Sequence, residues 1–238
     1  MSFRQMRTLG DTLGLPLVAN AISPCLRELR RPEAAATTNS MPLDVAYSTT
    51  LTDEGLLLRA FGEEDVAGIC EAVAESQREL ARWMPWHHSG YDRSDAETFI
   101  RLQPQAWSEG REYSFAISDR QSNKLLGGCG LNRIDWMNLS ANLGYWVRTT
   151  AAGYGVASAA TRLLLGFAFE QLGLARVEIV AAVGNAASQR VAEKVGATRE
   201  ALARNRCRAG GVQQVAYVYS VIPADFVGKS AWRNPNDE

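Results

Sequence analysis

The chain has 238 residues, of which 46% are hydrophobic, and 25 Lys or Arg against 26 Asp or Glu leave a formal net charge of −1. This length suits one large domain or two small ones, with the apolar fraction of an ordinary soluble globular protein. Near-zero charge gives no support for nucleic-acid or membrane-surface binding, and no apolar run reaches the length of a membrane helix.

Residues 1–50 are poorly patterned. Arg4, Arg7, the apolar run Leu13–Ala19 and Ala19-Asn-Ala21 imitate a signal peptide, but Asp11, Gly14 and Pro16 interrupt the run and speak against export. Ala34–Ser40 reads as a linker and Met41 as an alternative start, so 1–50 is expected to be a loosely structured extension without chemistry. Leu56–Ala60 reads as the first strand. Glu63-Glu-Asp65 then opens a helix, since negative charge suits the N-terminal dipole. Val66, Ile69, Cys70 and Val73 form its buried stripe. Trp83-Met-Pro-Trp86-His-His is expected to be a loop, because Pro85 disfavours helix before it. Ser94-x-x-Glu97 reads as a capping box, Phe99, Ile100 and Trp107 as an inner helix face, and Pro104 as a kink or early end.

Glu112–Ser118 alternates, with Tyr113, Phe115 and Ile117 on one face. Leu125–Ile134 is the next strand, where Gly127, Gly128 and Gly130 either weaken it or allow a close approach. Asp135–Asn138 turns into the strand Leu139–Val147. Val156, Ala157, Ala160, Leu163, Leu164, Phe167 and Ala168 make one helical stripe that Gly173 ends. Val177, Ile179 and Ala181 alternate in a further strand, and a helix runs from an Asn185 cap to Gly196. The last strands are Thr198–Arg206 and Val212–Ile222. The second is apolar on both faces and so belongs in the sheet centre. The expected class is α/β (α+β): a mixed sheet of about six to seven strands with helices on both faces. Its domain covers 51–226, and 227–238 is a polar tail. Cys25, Cys70, Cys129 and Cys207 form no C-x-x-C. With His87 and His88 the only histidines, no metal is expected.

The chemistry-bearing stretch is Leu143–Ala157: an apolar strand, a short polar segment, Gly153-x-Gly155, then a helix. The first N–H groups of a helix lack intrahelical partners and sit at its positive end, so this order makes an anion cradle. A Gly-x-Gly before a helix is equally the pattern of an ordinary tight turn.

Gly144-Tyr-Trp146, the glycine loop, Arg176-Val-Glu-Ile179, Asn185-Ala-Ala-Ser188, Glu193-Lys-Val-Gly196 and Glu200 occur in that order. Together, over Leu56 to Phe226, they resemble the GNAT acetyltransferase superfamily and its RimJ/RimL-like branch. The pattern departs from that branch at Thr150 and Ala152 in the loop, at Ala197, at Val215, and at Asn142, where many relatives carry Glu.

The resemblance implies a GNAT fold in which acetyl-CoA lies between two splayed parallel strands, Leu139–Val147 and Val177–Val183. Backbone N–H groups at Tyr145, Trp146 and Val147 would meet the pantetheine and the thioester carbonyl, as an oxyanion hole does. Gly153, Tyr154, Gly155, Val156 and Ala157 would take the pyrophosphate, with Arg148 and Lys194 near the phosphates. Tyr145 and Trp146 read equally well as core aromatics. Asn185 either contacts pantetheine or only caps its helix, and Ser188 either relays a proton to the leaving thiolate or belongs to the same cap. Trp83, Trp86, His87 and Trp107 would line the acceptor side, or cover the core. His87, Asp135 and Glu178 are the candidate bases.

The expected activity is that of a cytoplasmic acetyl-CoA-dependent N-acetyltransferase without a metal. The acceptor is expected to be a protein or peptide N-terminus attacking directly in a ternary complex. An α-amine, with a pKa of about 7.7 against about 10.4 for lysine, asks less of a site without an evident base. A small-molecule amine acceptor, a non-catalytic acyl-CoA-binding module and a homodimer remain open alternatives.

Overall fold

The computed structural model describes residues 45–226. Of the extension expected over 1–50, residues 1–44, including Cys25, lie outside the described residues, as does the tail 227–238; the described part departs from the expectation, since Val45 and Tyr47 pack on the core, Tyr47 Oη donates to the Phe61 carbonyl at 2.7 Å and a strand opens at Thr50. One sheet holds eight strands: β1 (Thr50–Thr52), β2 (Leu56–Ala60), β3 (Tyr113–Asp119), β4 (Leu125–Asp135), β5 (Ser140–Val147), β6 (Arg176–Ala182), β7 (Thr198–Ala209) and β8 (Val212–Val221). Their order is β1-β2-β3-β4-β5-β6-β8-β7, and every neighbouring pair is antiparallel except β5 and β6. The sheet therefore has one strand more than the upper end of the sequence estimate. The addition is β1, whose three residues are too short to show a period of two. As expected from its two apolar faces, β8 is an inner strand.

The strand alternation sorts side chains to two helical layers. On one face, α1 (Val66–Glu75) and α3 (Arg93–Ser108) pack Val66, Ile69, Val73 and Ile100 against Phe61, Ala116 and Leu125. On the other, α4 (Val156–Gly166), continued by a π-helical turn Phe167–Gln171, packs Leu163, Leu164 and Phe167 against Phe115, Leu131, Ile179 and Tyr219. The shorter helices are α2 (Gln77–Trp83), α5 (Ala186–Lys194) and α6 (Pro223–Phe226).

Three local expectations are corrected. Trp83 ends α2 rather than starting a loop, because the chain resumes a helix at Gln77 after Ser76. The cap of α3 is Asp92, not Ser94: its carboxylate accepts from Ser94 N at 2.8 Å, and Asp95 accepts from Asp92 N at 2.9 Å. Pro104 lies inside α3 and does not end it. Buried Ile100, Ala106 and Trp107 on either side hold the helix against the core and override the proline's preference.

The glycines of β4 are sites of close approach. A Cβ on Gly127 would stand 2.2 Å from the Trp146 carbonyl oxygen, and one on Gly128 would stand 2.8 Å from the Trp146 indole nitrogen. These absences let β5 lie tight against β4 with Trp146 over Gly128. Gly127→Ala is expected to cost about 1–3 kcal/mol through forced backbone shifts. Urea unfolding measures this, and an unchanged midpoint would show that the two strands can relax apart freely.

Candidate active site

The sheet opens between its one parallel pair. β5 and β6 pair only at Ser140↔Arg176, Ala141↔Val177 and Asn142↔Glu178. Beyond these residues β5 stays with β4 as far as Val147↔Gly127, while β6 stays with β8 as far as Ala182↔Ala216. The facing edges part, and two cavities occupy the gap. One, of about 360 Å³, lies under the Trp83–Trp86 segment. The other, of about 300 Å³, lies at the glycine loop. They meet at a shared wall of Trp83, Met84, Tyr145, Trp146, Asn185 and Ser188.

The loop cavity brings together Val147, Gly153, Gly155, Val156, Ala157, Asn185, Ser188 and Lys194 from the sequence reading. Gly153 and Gly155 both have φ of 87°, and Gly155 is the N-cap of α4, without any side chain to cap the helix. A side chain is disfavoured at that φ, and its absence leaves the first N–H groups of α4 open to an anion. Arg190 joins Lys194 on the α5 side of this cavity, a cation the sequence reading passed over because it looks like part of a solvated helix face. Tyr154 is 84% exposed and does not line the cavity.

Arg148 is corrected. It is buried, and its guanidinium is taken up by Glu71 at 2.6 Å, by Glu75 and by the Leu125 carbonyl at 3.2 Å. It is a structural anchor, not a phosphate ligand. Glu75 Oε1 also accepts from Thr150 N at 2.7 Å, and Ser76 Oγ from Thr149 N at 3.0 Å. The C-terminal end of α1 thereby fixes the entry to the glycine loop.

At the shared wall, Tyr145 Oη lies 2.9 Å from Ser188 Oγ and 3.2 Å from the Ser188 carbonyl oxygen. Burial pushes the Tyr145 hydroxyl up to about 12, against a smaller lowering effect of Ser188, so it stays protonated at neutral pH. Asn185 Oδ1 accepts from Ser188 N at 3.1 Å, so Asn185 does cap α5. Trp146 points to the opposite face, 5.9 Å from Trp86 between ring centroids.

The remaining candidates separate. Trp83 and Trp86 line the larger cavity. His87 does not; burial and then His88 lower its pKa, and its Nε2 has no partner among the described residues. Of the two readings of Trp107 the core one holds: it is 3% exposed and stacked edge-on to Tyr113 and Phe115. Asp135 is corrected to a turn residue: its carboxylate accepts from Met137 N, Asn138 N and Asn138 Nδ2, outside both cavities. Glu178 is bound by Arg176 at 2.9 Å and Arg206 at 3.0 Å.

The larger cavity has polar walls, and of these the sequence reading missed Glu112, Ser114, Asn132 and Arg133. Glu112, Ser114, Asn132, Arg133, Asn142, Arg206 and Arg208 all line it. Ser114 Oγ donates to Glu112 at 2.5 Å, and Asn142 Nδ2 donates to Asn132 Oδ1 at 3.0 Å. The alternation of β3 already put Glu112 and Ser114 on the face opposite Tyr113 and Phe115. What that face met was not in the sequence.

A mixed sheet opening at its single parallel pair, with a glycine loop at a helix start on one edge of the gap, defines the acyltransferase class of the GNAT fold. The chain belongs to that family: the Acetyltransferase (GNAT) domain matches residues 55–198. It is 30% identical over 186 residues to YdaF of Bacillus subtilis, provisionally named a ribosomal N-acetyltransferase, covering 76% of this chain and 98% of that one. A Vibrio cholerae protein provisionally named a ribosomal-protein-serine acetyltransferase is 29% identical with a TM-score of 0.66, covering 75% of this chain and all of the other. Mycobacterium smegmatis RimJ, solved with CoA-disulfide, shares the fold at a TM-score of 0.71 and 21% identity, over 78% of this chain and 92% of its own. The likeness to the RimJ/RimL-like branch therefore stands.

The anchor at Arg148 has a measurable pH signature. The Arg148 guanidinium first, and the Thr150 N–H next, hold the Glu75 carboxyl down at about 2. A carboxyl depressed from about 4.3 in the unfolded chain adds stability that is complete above that value and is lost as pH falls toward 2. Glu75→Gln is expected to lower Tm at pH 7 by about 2–4 °C and to flatten the decline between pH 5 and 2. Thermal melts across that range check it, and parallel curves for the two proteins would refute it.

Proposed function

We propose that the protein transfers the acetyl group of acetyl-CoA to the α-amine of a protein N-terminus by direct attack in a ternary complex. The observation that carries this reading is the parting of β5 and β6 beyond Asn142 and Glu178, beside a helix start whose cap glycine leaves its N–H groups free. The unpaired edge of β5 would hold the pantetheine by strand-like hydrogen bonds and present N–H groups to the thioester oxygen. The pyrophosphate would lie at Gly153–Ala157, with Arg190 and Lys194 alongside. The CoA-disulfide named with Mycobacterium smegmatis RimJ and the ribosomal names of YdaF and of the Vibrio cholerae protein support the donor and the acceptor class.

The amine enters through the cavity under Trp83–Trp86. Its nitrogen forms a bond to the thioester carbon, the C–S bond breaks, and a proton must reach the departing sulfur. The Ser188 hydroxyl, joined to a Tyr145 hydroxyl that burial keeps protonated, would supply it. Glu112, the carboxylate of the acceptor cavity, is the group best placed to draw the ammonium in and help deprotonate it. A free α-amine is about one-sixth neutral at pH 7, so this assistance need only be modest.

Calorimetry is expected to show acetyl-CoA binding that Gly155→Asp abolishes, since the carboxylate would occupy the phosphate position at the positive helix end. No heat at millimolar CoA would overturn the reading. Ser188→Ala and Tyr145→Phe are expected to lower kcat by about ten- to hundredfold with little change in acetyl-CoA affinity. Equal losses in affinity and turnover would assign Ser188 to the α5 cap alone. A peptide with a free N-terminus and blocked lysines is expected to be acetylated in preference to the reverse peptide from pH 7 to 9.

A further inference from the structure

Two β-bulges border the acceptor cavity. The β4–β5 register shifts between Asn132 and Asp135, and the β7–β8 register shifts between Ala203 and Cys207. Each bulge holds a residue that is not glycine in the left-handed region, Arg133 at φ 50° and Asn205 at φ 50°. Bulges re-aim side chains, and left-handed backbone at an arginine is uncommon enough to call for a reason. Here both bulges deliver an arginine to one place, Arg133 from the first and Arg206 from the second, and Arg208, paired with Gln213 just past the second bulge, joins them in lining the acceptor cavity.

The cations are only partly compensated. Arg206 pairs with Glu178 at 3.0 Å, and Arg208 Nε donates to the Gly211 carbonyl at 3.3 Å. Arg133 has no carboxylate partner among the described residues. The carboxylate lining the same cavity, Glu112, is engaged by Ser114 rather than by a cation. The cavity thus offers one carboxylate just before β3, suited to an ammonium, and an excess of guanidinium on β4 and β7, suited to a carboxylate.

We propose that the acceptor is recognised as an amine with a carboxylate close behind it: an N-terminus carrying Asp or Glu in its first few residues. The ammonium faces Glu112, and the acidic side chain meets Arg133 with Arg206 and Arg208. This rests on the acetyltransferase reading of the same site. Guanidinium–carboxylate bonds are charge-assisted and directional, so they select as well as attract.

The test uses the full chain with acetyl-CoA and three peptides of equal length with free N-termini and blocked lysines. The residues after the first are neutral, acidic or basic, and free glutamate is the fourth acceptor. The acidic peptide is expected to exceed the neutral one by about tenfold in kcat/KM, with the advantage shrinking in 0.5 M salt, a condition of about 0.5 M that screens exposed charge. Arg133→Asn keeps a residue that tolerates the left-handed backbone and is expected to cut the acidic-to-neutral ratio severalfold; Arg133→Lys, which keeps the charge, is expected to restore part of it. Preference for free glutamate over the acidic peptide would support the recognition and assign it to a small amino acid. Equal rates for neutral and acidic peptides would overturn this inference and leave the acetyltransferase reading in place. No acetylation of any amine would overturn both.

Discussion

Strand β5 has two neighbours and can satisfy only one of them along its whole length. It keeps β4 as far as Val147↔Gly127 and gives up β6 after Asn142↔Glu178. That choice is built into β4, where Gly127 lets the backbone of Trp146 and Val147, and Gly128 the Trp146 indole, come closer than any side chain would permit. β6 is held from its other side by β8 as far as Ala182↔Ala216. Neither strand can swing across to close the gap, so a stretch of backbone edge is left without its ladder, and buried backbone polar groups require a partner. Everything that gives the molecule chemistry is arranged around that unfilled edge.

The two faces of the gap are chemically distinct because side chains alternate along β5. Tyr145 turns toward α5 and meets Ser188. Trp146, one residue on, turns toward the Trp83–Trp86 segment and meets Trp86. One strand therefore supplies Tyr145, half of the hydroxyl pair, to one face of the gap and Trp146, part of the aromatic wall, to the other. The ion pairs of Arg148 with Glu71 and Glu75 then set the angle at which the chain leaves β5 and approaches the glycine loop. The cradle is positioned by α1, a helix that does not itself line it.

Much of this was legible in the sequence where the signal was periodic. β2 to β8, α4 and α5 follow from alternation or from a helical stripe, and the motif order pointed to the family. The misses share a cause: they depend on pairs far apart in the chain. Arg148 reads as a loop cation until Glu75, 73 residues away, is seen to hold it. Tyr145 and Ser188 are 43 residues apart, and nothing local says that they touch. Asp135 is different, since its turn chemistry was readable: an Asp followed two and three residues on by free N–H groups commonly closes an Asx turn. Glu112 was on the page as the odd face of an alternating strand, but its significance needed the opposite wall.

Among the described residues the strand β7 forms one edge of the sheet, twelve residues long and mostly exposed. An edge of that length is ordinarily a template on which a second chain could add a strand and begin to aggregate. The bulge at Ala203–Cys207 breaks the run of evenly spaced donors and acceptors, and Arg199, Arg204, Arg206 and Arg208 place like charges where another copy of β7 would have to align. The irregularity that turns an arginine toward the larger cavity thus also works against a second copy pairing along β7, and straightening β7 would trade that protection for a longer ladder.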